Sequence, residues 1–344
     1  MASGALLNEP KFTSQGASSR IAGPASYLRR IEVPGGTIRR WWLHAFLRMS
    51  SRRASYLDAN IGALRLEQRK WDERFARPDQ NARHTLVRGA DFAGEWLEWA
   101  DSDPSRVILY LHGGAFLFHW PRIYAGMVGS WCTPLRARAL LVDYRLAPEF
   151  PFPAAADDCL AAYRWLHGQG YSAPDVVLAG DSAGANLALV TLQRLHALGE
   201  ALPACVVLLS AGLDFTLSGR SVVANDGRDP MFSLAGLAAL RSFYAPPEQY
   251  LNPAVSPLFG DFSGLPPLLF QVGERELLLD ESTRAAARAH AAGVTVELEI
   301  WERMGHGFQA LPLPQAQSAA DHVVAFVERH AGWKASRSTT RLGH

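Results

Sequence analysis

The stretch Gly180-Asp181-Ser182-Ala183-Gly184 has the form G-x-S-x-G and separates two segments of different periodicity. The apolar, β-branched run 175–179 before it is typical of a buried strand, and apolar residues recur at helical spacing over 187–195 after it. In a strand-to-helix elbow the serine occupies a strained turn, and the flanking glycines let the backbone pass close by. Ser182 is therefore the candidate nucleophile. An ordinary Gly-Ser turn between any strand and any helix would fit the same letters, so the rest of the chain must decide.

Short apolar runs alternate with helical patterns along most of the chain. The runs predict strands at Thr85–Val87, Glu95–Trp99, Arg106–Leu111, Ala139–Val142, Asp175–Ala179, Cys205–Leu209, Leu268–Val272 and Val294–Ile300. Helical patterns between them cover 154–167, 280–292 and 314–330. This alternation predicts an α/β fold with a mostly parallel sheet of about eight strands, flanked by helices on both faces. Reacting groups in such a sheet gather at the carboxyl ends of the strands.

Two regions depart from this alternation. Helical patterns over Thr37–Met49 and Tyr56–Phe75 precede the first predicted strand, and a polar, turn-rich segment leads to a helix at Leu234–Tyr244. We expect residues 1–80 to contribute cap helices, 81–212 and 258–334 to form the two parts of the core, 213–257 to be a cap or lid insertion, and 335–344 to be a flexible tail. Met1 to about Ser26 is also expected to be mobile. The N-terminal helices could instead pack on the core, or lie in a membrane interface as a basic amphipathic helix.

Composition narrows the classes of partner. The 344 residues include 34 Lys and Arg against 33 Asp and Glu, so no basic field favours nucleic acid, and small neutral substrates fit best. Cys132, Cys159 and Cys205 are odd in number and widely spaced, which predicts buried thiols rather than a disulfide framework or a zinc site. Residues 1–20 lack the continuous apolar stretch of a secretory signal, so we expect none there. No apolar run approaches the roughly 20 residues that a membrane-spanning helix needs. We therefore expect a cytoplasmic protein without stable membrane insertion.

A serine nucleophile needs a general base, and the base needs an acid that orients it. His306 lies between two glycines just after the last predicted strand, at the edge where Ser182 should emerge, and is the best base among the 11 histidines. His112, His119, His290 and His330 are better explained as structural or surface residues. The acid should lie in 273–281, after the strand 268–272, where Glu274, Glu276 and Asp280 are candidates.

Four motifs carry a resemblance to a known family. They are His112-Gly113-Gly114-Ala115-Phe116, Asp143–Glu149 with Pro151–Ala155 close behind, Gly180–Gly184 and His306-Gly307-Phe308. Together, and in this order, they resemble the bacterial hormone-sensitive-lipase family of α/β-hydrolase esterases, from about Val107 to the C-terminal helix. The resemblance implies a carboxylic-ester hydrolase with a helical cap, acting on short to medium acyl esters without a metal or organic cofactor. It also makes a homodimer through the last strand or its neighbouring helix plausible.

The same resemblance assigns the catalytic acid. Members commonly have D-P-L-x-D-E at this turn, and Glu276-Leu277-Leu278-Leu279-Asp280-Glu281 stands in its place, so Glu276 matches the catalytic position. Glutamate is one methylene longer than aspartate, so its loop must lie slightly farther back from His306. Asp280 is the competing assignment, although we expect it on the following helix and facing away.

The glycine-rich turn after the first buried strand has a separate implied role. The resemblance assigns the oxyanion hole to Gly113, Gly114, Ala115 and Ala183, with the backbone N–H groups of the last three as donors and Gly113 permitting the turn. Ala115 replaces the third glycine common in the family and still has an N–H group. Asp143, Arg145 and Glu149 are expected to brace the loop beneath the site through buried charged hydrogen bonds.

Two other functions remain open from the sequence. The same triad could cleave an amide, a lactone or an acetylated small molecule, because it requires only a carbonyl and a leaving group. The chain could also be a non-catalytic small-ligand-binding protein on a hydrolase scaffold. That alternative predicts a missing triad residue, whereas all three positions are filled here.

Overall fold

The computed structural model describes residues 26–52, 60–76, 79 and 81–334. The predicted mobile ends at 1–25 and 335–344, and the part of the second helical pattern at 56–59, lie outside the described residues. The predicted α/β fold is confirmed. The described chain has nine strands, one more than expected: β1 Leu28–Ile31, β2 Arg83–Arg88, β3 Ala93–Glu98, β4 Val107–Leu111, β5 Arg138–Asp143, β6 Val176–Asp181, β7 Cys205–Leu209, β8 Leu268–Gly273 and β9 Val296–Trp301.

These strands form one sheet in the order β1-β9-β8-β7-β6-β4-β5-β3-β2. All neighbours are parallel except at β3, which is antiparallel to both β2 and β5. The central strands β4 and β7 are buried along their whole length because helices cover both faces of the sheet. Their carboxyl ends, with those of β6, β8 and β9, meet at one edge, where the site lies.

The additional strand, β1, precedes the first predicted helical segment, Thr37–Met49. It pairs in parallel with β9, from Leu28 opposite Leu298 to Ile31 opposite Trp301. Because β8 lies on the other side, β9 has a neighbour on both edges. Over 298–301 the last strand is therefore already paired on both edges, and a homodimer through this strand or its neighbouring helix stays a prediction.

Helices in the described chain include a layer on each face of the sheet. They are α1 Thr37–Arg52, α2 Ile61–Phe75, α3 Pro121–Leu135, α4 Ala154–Gly168, α5 Ala183–Ala197, α6 Ser221–Ala224, α7 Leu234–Tyr244, α8 Leu279–Ala291 and α9 Pro314–Ala331. Side chains of β4 alternate between the layers: Val107 and Leu109 pack with α4 and α5, whereas Ile108 and Tyr110 pack with α3 and α9. Among the described helices, none combines the length and apolar character needed to span a bilayer.

The three cysteines are free and buried, as predicted. Burial raises the pKa of the Cys205 thiol to about 12 and raises the pKa values of Cys132 and Cys159 as well. Since the thiolate is the reactive form, these residues act as packing groups.

Candidate active site

Ser182 lies in a tight turn between the end of β6 and the start of α5. Its backbone has φ 52° and ψ −116°, a left-handed conformation that costs a non-glycine residue about 1–3 kcal/mol. A Cβ atom at Gly180 would lie 2.5 Å from the Gly184 backbone, and one at Gly184 would lie 1.9 Å from the Leu111 carbonyl oxygen. The two motif glycines are therefore required, because the helix starts in direct contact with the strand ends.

The structure brings Ser182, His306 and Glu276 together in one hydrogen-bonded row. His306 Nε2 lies 3.0 Å from Ser182 Oγ, and His306 Nδ1 lies 3.1 Å from Glu276 Oε2. All three side chains are buried. His306 stands in the loop after β9, where Gly307 takes a φ of 66° and a Cβ atom at Gly305 would lie 2.3 Å from Pro230 Cδ. The flanking glycines thus let this loop turn tightly beneath the neighbouring segment.

The other two candidate acids lie elsewhere. Asp280 is on α8, where its Oδ2 accepts a hydrogen bond from the Ser221 N–H at 3.0 Å. Glu274 is partly exposed, and its Oε2 accepts from the Arg303 N–H at 3.0 Å. Neither has a hydrogen bond to His306 in the described chain, so Glu276 alone among the three contacts the imidazole.

Charged groups around His306 decide its protonation. Burial by itself lowers the pKa of His306, but the adjacent Glu276 carboxylate, with Asp229 and Asp181 farther away, raises it above its ordinary value. Asp229 is buried and fixed by the N–H groups of Met231 and Leu277 at 2.8 and 3.0 Å. The sequence analysis missed Asp229, and no local motif marks it.

Phe232 is a second missed neighbour of the imidazole. Its ring meets that of His306 edge-on, with centroids 4.7 Å apart. Like Asp229, it comes from the segment 213–257, which the sequence analysis treated only as a lid. This segment therefore contributes both a charge and an apolar wall to the environment of His306.

The turn after β4 presents backbone N–H groups near Ser182. Gly113 differs from the other three expected oxyanion residues, because its N–H donates to Asp181 Oδ1 at 2.7 Å. The N–H groups of Gly114, Ala115 and Ala183 have no acceptor among residues 26–52, 60–76, 79 and 81–334. Tyr110 donates to the same Asp181 oxygen at 2.5 Å. Asp181, the second letter of the motif, thus ties the glycine turn to the elbow.

One group of side chains in the described chain has metal-ligand spacing: His112, His119 and Asp143. The two imidazole rings are stacked with centroids 4.0 Å apart and planes 11° from parallel. Ring nitrogens direct their lone pairs in the ring plane, so those of stacked rings run side by side and do not converge on one ion. His112 Nδ1 also lies 2.7 Å from the Gly113 carbonyl oxygen. These residues fit the structural role expected from the sequence.

A pocket of about 520 Å³, part of it open to solvent, begins at Ser182. Its apolar wall is formed by Ala115, Phe116, Ala183, Phe215, Leu217, Phe232, Leu237, Leu240 and Leu278. Five of these come from the segment 213–257, whereas no described residue of α1 or α2 lines the pocket. The N-terminal helices as part of a cap stay a prediction.

The polar residues lining this pocket include the buried Glu281. Its Oε2 accepts hydrogen bonds from the backbone N–H groups of Leu213 and Asp214. Gly212, just before them, donates its N–H to the Ser182 carbonyl at 3.3 Å. Glu281 therefore fixes the chain that forms one wall beside the serine.

The three charged residues of the 143–149 motif each form an ion pair. Arg145 pairs with the buried Asp158 at 2.6 Å, Glu149 with Arg65 at 2.7 Å, and Asp143 with His119 at 3.3 Å. Their own side chains are about half exposed. The expected charged contacts exist, but the expectation that they are buried hydrogen bonds is wrong, because one member of each pair is about half exposed.

Comparison with known proteins assigns this chain to a family. A family model described as the α/β-hydrolase fold matches residues 108–310. An esterase of Acinetobacter venetianus is 35% identical over 243 residues, which cover 70% of this chain and 80% of the relative. An acetyl-hydrolase of Streptomyces hygroscopicus is 37% identical over 240 residues, which cover 69% and 80%.

A solved structure gives the same result. The crystal structure of an esterase from the bacterial hormone-sensitive-lipase family is 32% identical, with a TM-score of 0.81 over 87% of this chain and all of that one. Fold, motif order and relatives agree, and the chain belongs to the bacterial hormone-sensitive-lipase family of α/β-hydrolases.

Proposed function

We propose that this protein hydrolyses carboxylic esters of short to medium acyl chains through Ser182, His306 and Glu276. The row of contacts at 3.0 and 3.1 Å carries the proposal, because it connects the candidate nucleophile to a base and the base to an orienting acid. Relatives named esterase and acetyl-hydrolase support the reaction class.

The first half-reaction forms an acyl-enzyme. His306 Nε2 accepts the proton of Ser182 Oγ while Oγ attacks the ester carbonyl carbon. The carbonyl oxygen becomes an oxyanion that the N–H groups of Gly114, Ala115 and Ala183 stabilise, a contribution of about 3–4 kcal/mol for each donor. The tetrahedral intermediate collapses as the C–O bond to the alcohol breaks, and His306 returns its proton to the leaving alkoxide.

The second half-reaction releases the acid. A water molecule gives a proton to His306 Nε2 and attacks the acyl carbon, and the resulting oxyanion occupies the same N–H donors. Collapse breaks the bond to Oγ, which recovers its proton from His306. Throughout, the Glu276 carboxylate holds the Nδ1–H tautomer of His306 and stabilises the imidazolium.

The pocket supports the preference for small substrates. Its wall is mostly apolar, as the walls of small-molecule sites usually are. An acyl chain of a few carbons would bury its methylenes against Phe116, Phe215 and Leu240. The acetyl-hydrolase relative makes acetyl esters one member of the series to be tested.

Hydrolysis of p-nitrophenyl esters from acetate to laurate tests the proposal. We expect the wild type to act best on short to medium chains, and Ser182→Ala to lower kcat by at least about 10⁴-fold. Ser105→Ala is the matched control, since Ser105 is exposed in the turn before β4, and within the described residues its N–H and hydroxyl bond to Asp103. A fluorophosphonate should add one label to the wild type and none to Ser182→Ala.

Three results would count against the proposal. Turnover that survives in Ser182→Ala would assign the chemistry to another group. A wild type that binds the esters without releasing nitrophenol would favour the non-catalytic binding protein, and amide or lactone turnover without ester turnover would favour the other use of the triad.

A further inference from the structure

The turn that offers the N–H groups has an unusual backbone. Three consecutive residues have positive φ: 121° at Gly114, 53° at Ala115 and 62° at Phe116. Non-glycine residues keep such angles only where their surroundings impose them. One end of the turn is tied to the elbow through the Gly113 N–H and Asp181.

A single guanidinium from α2 holds the far end. Arg65 Nε donates to the Leu117 carbonyl at 2.8 Å, and Arg65 Nη2 donates to the Ala147 carbonyl at 2.6 Å. Ala147 in turn donates its N–H to the Phe116 carbonyl at 2.9 Å. Arg65 therefore joins the turn to the neighbouring chain at the residue after the strained positions.

Glu149 keeps this guanidinium in place. Its two carboxylate oxygens accept from Arg65 Nη1 and Nη2 at 2.7 and 2.9 Å, a bidentate pair. The guanidinium plane is thus oriented by the carboxylate on one side and by two carbonyl oxygens on the other. Lysine could keep the charge, but its single nitrogen could not reproduce this fixed set of directions.

The rest of α2 contacts the same stretch of chain with polar side chains. Gln68 Nε2 donates to the His119 carbonyl, and Asp72 accepts from the N–H groups of Arg122 and Ile123 at 3.1 and 3.0 Å. Residues 65, 68 and 72 share one face of a helix. Gln68 and Asp72 are buried, although a helix on a protein surface ordinarily buries its apolar face. This helix therefore binds the backbone of 117–123, not merely the core.

We propose that α2 holds the oxyanion turn, residues 113–117, in its observed conformation. In this proposal Arg65 is a positioning residue for ester hydrolysis. Arg65 acts through the backbone of 116–117, which fixes where the Gly114 and Ala115 N–H groups point. The inference rests on the proposed function and deepens it. Loss of Arg65 should weaken stabilisation of the oxyanion without weakening the binding of the ground-state ester.

Kinetics of Arg65→Lys, Arg65→Ala and Glu149→Gln with p-nitrophenyl butyrate test this, together with inhibition by an alkyl trifluoromethyl ketone, whose adduct carries an oxyanion. We expect kcat to fall about 10- to 100-fold in the Arg65 variants, less in Glu149→Gln, with KM within about twofold. The inhibition constant should rise by the same factor as kcat/KM falls. Arg164→Ala is the matched control, because Arg164 makes a similar two-point pair with Glu200 on the exposed side of α4.

The outcomes separate this inference from the proposed function. If the Arg65 variants match Arg164→Ala in kcat and in inhibitor affinity and differ only in melting temperature, α2 is a structural support and the inference is wrong, while the esterase function stands. If Arg65→Ala does not fold, Arg65→Lys and Glu149→Gln decide by the same two readouts. A wild type without ester turnover overturns the proposed function and this inference with it.

Discussion

Glu276 meets His306 with one carboxylate oxygen and is fixed by the other. Oε2 lies 3.1 Å from His306 Nδ1, and Oε1 accepts hydrogen bonds from the Gly273 N–H at 2.5 Å and from Ser210 Oγ at 2.8 Å. The Gly273 contact folds the side chain back towards its own strand. This arrangement takes up the extra methylene of glutamate, where the family commonly has aspartate.

Replacing this acid tests its role directly. Glu276→Gln keeps the shape but removes the negative charge that holds the Nδ1–H tautomer, so we expect kcat for p-nitrophenyl butyrate to fall by about 10³- to 10⁴-fold. Asp280→Asn is the matched control and should stay within about threefold, because Asp280, on α8, contacts Ser221 of α6 and not His306. A larger loss in Asp280→Asn than in Glu276→Gln would reverse the assignment of the acid.

The same carboxylate should control the pH dependence. His306 must be neutral to accept a proton, so the acid limb of kcat/KM reports its titration in the free enzyme. Burial, the largest single influence, lowers the pKa of His306, and Glu276 together with Asp229 and Asp181 raises it above its ordinary value. In Glu276→Gln the burial effect remains, so the acid limb should move to lower pH even as the rate falls.

Asp229→Asn provides a graded comparison for that shift. Asp229 raises the pKa of His306 without a hydrogen bond to it, so the acid limb should move in the same direction by less. Asp280→Asn should leave the limb in place. Rates measured from pH 4 to 9 for all four proteins give the comparison, and an unmoved limb in Glu276→Gln would mean that another group governs it.

The oxyanion turn allows a paired glycine–alanine test. A Cβ atom at Gly114 would lie 2.1 Å from the Phe118 carbonyl oxygen, so Gly114→Ala must displace the turn. Loss of one donor predicts a fall in kcat of about 10²- to 10³-fold. Ala115→Gly keeps the N–H group and suits the φ of 53°, so kcat should stay within about threefold. Equal losses in both variants would show that the methyl group of Ala115, not its N–H, matters.

The core of the fold could be predicted because its strands are buried on both faces. Strands such as β4 and β7 are continuous apolar runs, and they stand out against helical spacing. The edge strand β1 could not, since Leu28-Arg29-Arg30-Ile31 is short and half charged. Its conformation follows from pairing with β9, about 270 residues later, and from the bonds of Arg29 to Glu297 and Glu299.

The candidate site likewise contains residues that could be predicted from the sequence and residues that could not. Gly180 and Gly184 identify the strand-to-helix elbow because the backbone there leaves no space for a side chain. A Cβ atom at either position would clash with the adjoining backbone. Asp229 and Arg65 carry no local signal, since Asp229 reaches the site by the folding of 213–257 and Arg65 belongs to a helix that precedes every strand except β1. Asp181 occupies a variable position of the G-x-S-x-G motif. Its role follows from the hydrogen bonds that it accepts from Gly113 and Tyr110, which are distant in sequence.

Glu281 makes a prediction about stability. Burial, followed by the charge of Asp214, raises the pKa of the Glu281 carboxyl to about 8, although the N–H groups of Leu213 and Asp214 and the charge of Arg284 act in the opposite direction. A raised pKa means that between about pH 4.5 and 8 the folded protein keeps a proton that the unfolded chain has released. The contribution of Glu281 to the free energy of unfolding therefore falls as pH rises through this window.

Glu281→Gln removes that dependence, because the amide does not titrate. The free energy of unfolding of the variant minus that of the wild type should rise from pH 5 to 8, by at most about 1.4 kcal/mol per pH unit, and level off above pH 8. Urea unfolding at pH 5, 6, 7, 8 and 9 measures it. Glu200→Gln is the control: the hydrogen bond from Arg164 lowers the pKa of Glu200, so this side chain is ionised in both states and its difference should be flat. A flat difference for Glu281→Gln would mean that Glu281 is ionised in the folded protein, with its charge balanced by the two N–H groups and Arg284.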